Sequence, residues 1–494
     1  MELCSEKPAL SGAEAVTAVT LAAGAAPARR RVRPSPPASA PSRRERALAA
    51  LDRLIISLDR LISRQLDEIL HHPRFQRLEA SWRGLHYLTD AEAEYDEDLS
   101  VKIKVLNVSW AELAKDVTRA LEFDQSHIFR RVYSDEFDMP GGEPFGVMLC
   151  DYEVSHRPRP GQPVSDPEVL RELARVGTAA LCPFILNAGS SLFGLDSFRE
   201  LPQLATLQAT FQQREYAQWR ALRRDEHSRF LGLTLPRMLM REPYRDDGSR
   251  RQRFVYEEQV NDDVEHYLWG GACYAFGSVL IRAFANTGWF ADIRGGTHEF
   301  GEGGVVRHLV YSRFNDDRAR IAARSATEIQ ISDYAERELS DFGFIPLCAY
   351  HSVERAVFYS NASLHEPPEY EAEIANANAK LSAMTQYMLC VSRFGHYIKV
   401  MGRDRIGSFT NATDCQRLLQ DWLNRYTTSS EGGSAELKAR YPLAASRVEV
   451  TELPGRPSYF TCTVHLQPHF QLDQLISSIR LVTELAVGAV TARA

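Results

Sequence analysis

No uninterrupted apolar run in this sequence approaches the roughly 20 residues that span a bilayer, so membrane insertion is not expected. The opening MELCSEKPAL has neither the basic n-region nor the apolar core of a secretory signal, and the expected location is the cytosol. A surplus of positive charge is also missing. The formal net charge of −7 gives no reason to expect a nucleic-acid binder. The eight cysteines, Cys4, Cys150, Cys182, Cys273, Cys348, Cys390, Cys415 and Cys462, are scattered and form no C-x-x-C pair. Zinc needs close ligand pairs. The thiols are therefore expected to be reduced and buried as small hydrophobes, with no metal and no cofactor.

The motifs of common chemistries are absent too. The best phosphate-loop candidate, GGTHEFGEGG (295–304), lacks the Lys-Ser/Thr of a Walker A loop and the G-x-G-x-x-G spacing, and reads as a connection. There is no G-x-S-x-G elbow and no H-E-x-x-H. His71 and His72 are adjacent, so on a helix their side chains diverge by about 100° and converge poorly on a metal. A helix-terminal role beside Pro73 is expected. Cys348 and His351 lie three residues apart after an apparent strand, and a thiol beside a base is a possible nucleophile. They define the one enzymatic alternative, a cytosolic thiol enzyme.

Several compositional zones are present. Residues 1–46 are rich in Ala, Pro, Ser and Arg, including Arg29, Arg30, Arg31, Arg33, Arg43, Arg44 and Arg46. Such a segment buries too little apolar surface to offset its ordering entropy and is expected to be a disordered tail. Within it GAEAVTAVTLAAGAA (12–26) has the composition of a short helix. From residue 47 the pattern changes. Leu51, Leu54, Leu58, Leu61, Ile62, Leu66, Ile69 and Leu70 recur at three- and four-residue intervals, predicting an amphipathic helix over 47–70. A second helix follows Pro73, with Leu78, Trp82, Leu85 and Leu88 on one stripe. Either helix can pack on the chain's own core or on another subunit.

SVKIKVLNVS (100–109) alternates like a strand, and 110–122 has helical spacing. FGVMLCDYEVS (145–155) reads as a central strand, 201–225 as one long helix, and 267–288 as a helix apolar around most of its circumference. WFADIRG and RHLVYSRF look like strands, as do DFGFIPLCAY and RAVFYSNAS. Residues 377–407 and 415–428 read as helices. The fold class is α/β, a mixed α+β core without internal repeats.

Near the end stands SRVEVTELPGRPSYFTCTVHLQPHF (446–470). Val448 and Val450 alternate with polar residues, as do Phe460, Cys462, Val464 and Leu466, and Pro454-Gly455 marks a turn. This predicts a β-hairpin over 446–467, with those six residues as its packed face. A lone hairpin is marginal and has two open edges. LDQLISSIRLVTELAV (472–487), with Leu472, Leu475, Ile476, Ile479, Val482 and Leu485, reads as an amphipathic helix covering the hairpin.

The words of the sequence add a resemblance. ILHHPRFQRLEASWRGLHYL (69–88) is similar to the signature of the large sheath subunit of bacterial type VI secretion systems, the TssC/VipB type. CPFILNAGSSLFGLDSF, RFLGLTLPRMLMREPY, EHYLWGGACYAFGSVLIRAFANTGWFADIRG, ERELSDFGFIPLC, NANAKLSAMTQYMLCVSRFGHYIKVMGRDRIGSF and the terminal YPLAASRVEVTELPGRPSYF stretch follow in family order, over roughly 47–485. The Arg-rich tail, THEFGEGGVVRHL and the closing AVGAVTARA depart from the pattern.

The resemblance implies a contractile-sheath fold without enzymatic activity. The domains would be N-terminal elements over 47–125 packing with a small subunit, a middle sheath domain over 126–375, and an inner-layer domain over 376–494. It implies a TssB/VipA-type small subunit, copies of the chain itself, an inner tube of Hcp, a baseplate and the AAA+ unfoldase ClpV as partners. The hairpin would be completed by strands of neighbouring small subunits, making Val448, Val450, Phe460, Cys462, Val464 and Leu466 the partner-strand interface. Leu54, Leu58, Leu61, Ile62 and Trp82 would mark a subunit-contact helix. A sheath protein of a phage tail or a related injection particle is the nearest alternative.

Overall fold

A computed structural model describes residues 42–98, 100–139, 141–158, 164–204, 206–245, 254, 256–260, 264–296, 303–311, 325–349, 355–404, 412–430, 433–452, 459–469 and 479–486. The chain divides into two compact units, Met1–Leu58 and Asp59–Ala494. Most of the 1–46 tail, including 12–26, lies outside the described residues, as do His351 and most of the Gly-rich stretch 295–304.

The expected first helix is present as α1 (Arg43–Leu70). It opens with a capping box, in which Ser42 Oγ accepts from Glu45 N at 3.2 Å and Glu45 Oε2 accepts from Ser42 N at 2.7 Å. Helix α2 (Pro73–Tyr95) follows a two-residue elbow. His72 is its N-cap, accepting from Arg74 N at 3.3 Å, and Pro73 fills the first turn, where a missing N–H costs nothing. The histidine pair is thus helix-terminal. The buried stripe of α2 is Ala80, Gly84, Leu88 and Ala91, mostly small residues. They admit close approach to α5 (Ala272–Thr287), where a Cβ on Gly84 would lie 2.4 Å from the Tyr274 ring.

Residues 100–109 form no ladder among the described residues. Val101 and Ile103 pack against the core while the backbone runs alone. Alternation reports one covered face, and that does not require a paired edge. The segment is tied at both ends, by Val101 N to Asp96 Oδ2 at 2.6 Å and by the Ser109–Glu112 capping box of α3 (Trp110–Arg119).

The central sheet is formed by β1 (Met148–Val154), β2 (Phe184–Ala188), β3 (Leu231–Leu235), β4 (Val305–Val306), β5 (Phe344–Ala349) and β6 (Ala356–Phe358), in the order β1-β2-β3-β5-β6-β4. The first three and β5 run parallel, while β6 is antiparallel to β5 and to β4. Strand alternation divides the core. Phe184, Leu186, Leu231, Leu233 and Phe344 face one cluster, with α4 (Asp166–Ala180), whereas Ile185, Ile345 and Leu347 face the other, with α5. Strand β1 is an edge strand, not a central one. It is apolar because both of its faces are covered, by Cys150 and Val154 on one side and Leu149 on the other. Helix α5 is buried almost throughout, as its composition demands. Asn187 Oδ1 on β2 caps its start by accepting from Cys273 N at 3.0 Å. Its buried Arg282 donates to Val305 O at 2.5 Å and to Gly303 O.

Three expected elements are more broken than their periodicity suggests. Residues 201–225 are short helical turns, Phe198–Gln203, Leu207–Phe211, Arg214–Tyr216 and Ala217–Arg223, because Pro202 and the Thr206 cap interrupt the run. Around WFADIRG and RHLVYSRF the one strand among the described residues is Val305–Val306, just before the second. Residues 377–407 split into α6 (Glu373–Ser382) and α7 (Thr385–Asp404). Between them Ala383 O accepts from Ser363 N at 3.0 Å and Thr385 N donates to Asn361 O at 2.9 Å, so the backbone leaves the helix to pair with a neighbouring segment.

Helix α8 (Ala412–Asn424) leads to the C-terminal sheet of β7 (Leu443–Glu452), β8 (Tyr459–Pro468) and β9 (Ile479–Ala486). The hairpin β7–β8 is as expected. The closing helix is not, since residues 479–486 form a strand antiparallel to β8, and 472–478 lie outside the described residues. The helical spacing of Ile479, Val482 and Leu485 competes with β-branched Ile479, Val482 and Thr483, and the open edge of β8 offers a ladder that a helix would leave unpaired.

Candidate assembly surfaces

The C-terminal sheet shows period-two burial. Val448, Val450, Phe460, Cys462, Val464 and Leu466 are all buried, in one core with Phe394 and Ile398 of α7, Leu419 and Leu423 of α8, and Trp289. Burial pushes the Cys462 thiol up to about 12. The six residues are thus the packed face of the hairpin, but what packs on them is the chain's own helices. Their side chains are covered within the chain, so a partner strand would meet this sheet through its backbone edges. One edge also differs from expectation, because β8 is flanked by β7 and β9 of the same chain. The other face is polar, with Arg447 Nη2 and Glu449 Oε1 2.9 Å apart.

Helix α1 offers a different surface. Leu54, Leu58, Leu61 and Ile62 are exposed, and no residue of the helix is buried. Trp82 on α2 is 65% exposed. A stripe of large aliphatic side chains left in water carries unrealised burial energy of roughly 25 cal/mol per Å². Among the described residues these five side chains belong to no hydrophobic core.

The C-terminal region is fastened to the middle of the chain by a row on α7. His396 Nε2 lies 3.0 Å from Ala180 O, Lys399 Nζ donates to Ala179 O at 3.2 Å, and Arg403 Nη1 reaches Phe137 O at 3.3 Å and Met139 O at 3.2 Å. Cations at carbonyl-rich helix ends are favourable. Burial drives the His396 pKa down to about 3, so its ring is neutral, and Nε2 must carry the proton it donates. Burial likewise lowers Lys399, whose ammonium sits 5.1 Å from the Tyr133 ring centroid and 5.0 Å from that of Phe137. None of this was visible in the sequence beyond the helical run itself.

A second unforeseen network holds the α1–α2 elbow. Arg241 pairs with Glu258 Oε2 at 2.5 Å and with Glu79 Oε1 at 2.8 Å, while His71 Nε2 lies 3.0 Å from Glu258 Oε1. Burial alone would raise the Glu258 carboxyl, but the Arg241 guanidinium holds it below the usual carboxylate range. The two side-chain partners of Glu258, Arg241 and His71, lie 17 and 187 positions away in sequence, so no local pattern announces them.

The thiol–base pair finds no support. Cys348 is buried in β5, its thiol pushed up to about 12 by burial, opposite to the activation a nucleophile needs. Among the described residues no cluster of three or more His, Cys, Asp or Glu could hold a metal ion, and no helix is long and apolar enough to cross a membrane.

Comparison with known proteins turns this architecture into a class. Residues 52–365 match the EvpB/VC_A0108 tail sheath N-terminal domain, and 374–485 match the EvpB/VC_A0108 tail sheath gpW/gp25-like domain. The molecule is a tail-sheath protein. The chain is 39% identical over 443 residues to the type VI secretion system sheath protein TssC1 of Pseudomonas aeruginosa, covering 89% of this chain and 86% of that protein. It belongs to the VipB family of type VI secretion sheath proteins, as a large sheath subunit of the TssC/VipB type. Among solved structures it resembles a chain of the anti-feeding prophage baseplate at 9% identity and a TM-score of 0.33, over 80% of this chain and 82% of that one.

Proposed function

We propose that this chain is the structural large subunit of a contractile type VI sheath. It polymerises in the cytosol with a TssB/VipA-type small subunit into a helical tube around an inner Hcp tube. Contraction from a baseplate propels that tube, and the ClpV unfoldase recycles the spent sheath. The observation that carries this reading is the C-terminal sheet, a three-stranded ribbon closed on one face by α7 and α8, with no further strand beside its two outer strands among the described residues. Strand addition there supplies directional hydrogen bonds between subunits that can persist while the subunit bodies repack. Contacts of this head-to-tail kind do not close on themselves and generate open helices.

The exposed α1 residues Leu54, Leu58, Leu61 and Ile62, and Trp82 on α2, are assigned to subunit contact, where burial repays their exposure. ATP hydrolysis belongs to the unfoldase, and this chain needs neither cofactor nor catalytic residue. Co-expression with the small subunit and negative-stain microscopy test the proposal. Long tubes are expected, and a heterodimer that stays monodisperse under all conditions refutes it. A phage-tail or injection-particle sheath would assemble without the separate small subunit.

A further inference from the structure

A buried polar cluster sits where the chain breaks between α6 and α7. The break pairs with a neighbouring segment in antiparallel fashion, with Ala362 opposite Met384. On either side of that pair Ser363 N donates to Ala383 O at 3.0 Å and Thr385 N to Asn361 O at 2.9 Å. In such a pairing alternate residues share a face, so Asn361, Ser363 and Thr385 point the same way. Each is 1% exposed. Among the described residues Asn361 Oδ1 and Nδ2, Ser363 Oγ and Thr385 Oγ1 have no hydrogen-bond partner.

Four such atoms in one interior patch are costly. A single buried polar group left without a hydrogen bond lowers the folding equilibrium constant about ten- to a hundredfold, and native interiors leave few of them. The neighbours beneath the patch do not help. A Cβ on Gly232 of β3 would stand 3.8 Å from Thr385 Oγ1, and 2.7 and 3.0 Å from Ile185 Cδ1 and Ile345 Cδ1. The hydroxyl thus looks onto bare glycine between two isoleucines, and neither isoleucine can hydrogen-bond. The three side chains carry no charge. The amide supplies N–H donors as well as an oxygen, and each hydroxyl both donates and accepts. That mixture suits a small neutral partner that also does both. It suits a hard cation poorly, since such a cation takes oxygen ligands alone.

We propose that Asn361, Ser363 and Thr385 form a binding site for internal water. At about three hydrogen bonds per buried molecule, the four atoms suit about one or two waters. The site ties together two segments that belong to different tail-sheath domains, 361–363 at the end of the first and 383–385 within the second. It fixes the first turn of α7, the helix that carries His396, Lys399 and Arg403. The polar residues at the break are therefore ligands of the interior, and the break keeps its place through them as well as through its backbone pairing.

A density map of the full wild-type chain, free or assembled, at a resolution that shows ordered water tests this directly. A peak within hydrogen-bond distance of at least two of the three side chains is expected, and a dry contact among them overturns the site. Thr385→Val tests it independently, through the sign of its effect in urea unfolding of the full chain. The two side chains have nearly the same shape. Loss of a hydroxyl that holds water should lower the folding equilibrium constant about five- to tenfold, the worth of one hydrogen bond. An unchanged or raised constant means that the hydroxyl was an orphan, and overturns the proposal. Thr385→Ser keeps the hydroxyl and should keep the peak. Thr385→Val combined with Ser363→Ala should lose less than the sum of the single variants, because either change already loosens the shared water. Simple additivity overturns a shared ligand. Exchange of sodium for potassium or choline in the buffer should leave wild-type stability unchanged, and a dependence on the cation overturns water in favour of a metal ion.

Discussion

Acid should loosen this protein at His396, and the size of the effect follows from its burial. The ring is buried under α7, with Ala180 O holding Nε2 and the cations Arg393 and Lys399 nearby, and its pKa falls from 6.5 to about 3. The native state therefore refuses a proton that the unfolded chain accepts once the pH drops below about 6.5. Between those two values the unfolded state binds more protons, so stability declines as the pH falls. From pH 7 to pH 5 the difference is about 2 kcal/mol from this residue alone. The assay is urea unfolding of the chain at the two pH values, followed by tryptophan fluorescence. Trp289 stacks on Phe394 at 4.1 Å, two residues from His396, and reports on the same core. His156, His365 and His469 are also lowered by burial and act with the same sign, so the informative quantity is a difference. His396→Gln retains a donor for Ala180 O and removes the titration. It should lose about 2 kcal/mol less than wild type between pH 7 and pH 5. Identical acid sensitivity in the two proteins would refute the neutral, buried assignment.

Adjacent positions on β8 should respond oppositely. Val464→Glu puts a charge into the core face and should unfold the C-terminal sheet and abolish tubes, with circular dichroism still showing the central α/β sheet. Thr463→Lys, on the polar face opposite Glu449, should change stability by less than about 0.5 kcal/mol. Gly84→Ala drives a methyl into the Tyr274 ring and should cost about 1–3 kcal/mol in urea unfolding. Leu58→Asp with Leu61→Asp should leave the unfolding midpoint unchanged, because both positions are exposed, but should reduce tube yield on co-expression; normal yield would remove α1 from the subunit contact.

The sequence was most legible where one face meets water and the other a core. Val448 to Leu466 could be placed by alternation because the sheet is covered on one side only, and α1 by its stripe. It was least legible where backbone competes with backbone. Nothing local shows that Ala383–Thr385 prefers pairing with 361–363 to continuing a helix, or that Ile479–Ala486 finds an open edge at β8. The partners of Glu258 and the carbonyls beneath His396 and Lys399 are long-range contacts, and their residue types would look the same on a solvated surface. For α1 the pattern was clear but its meaning was not, because an amphipathic helix looks alike whether its partner is intramolecular or foreign.

The row on α7 has a mechanical consequence. His396, Lys399 and Arg403 bolt one rod to the ends of two helical segments, Asp166–Ala180 and Arg130–Asp138. A pull delivered to the terminal ribbon therefore has little slack to consume before it reaches the helices that cover the central sheet.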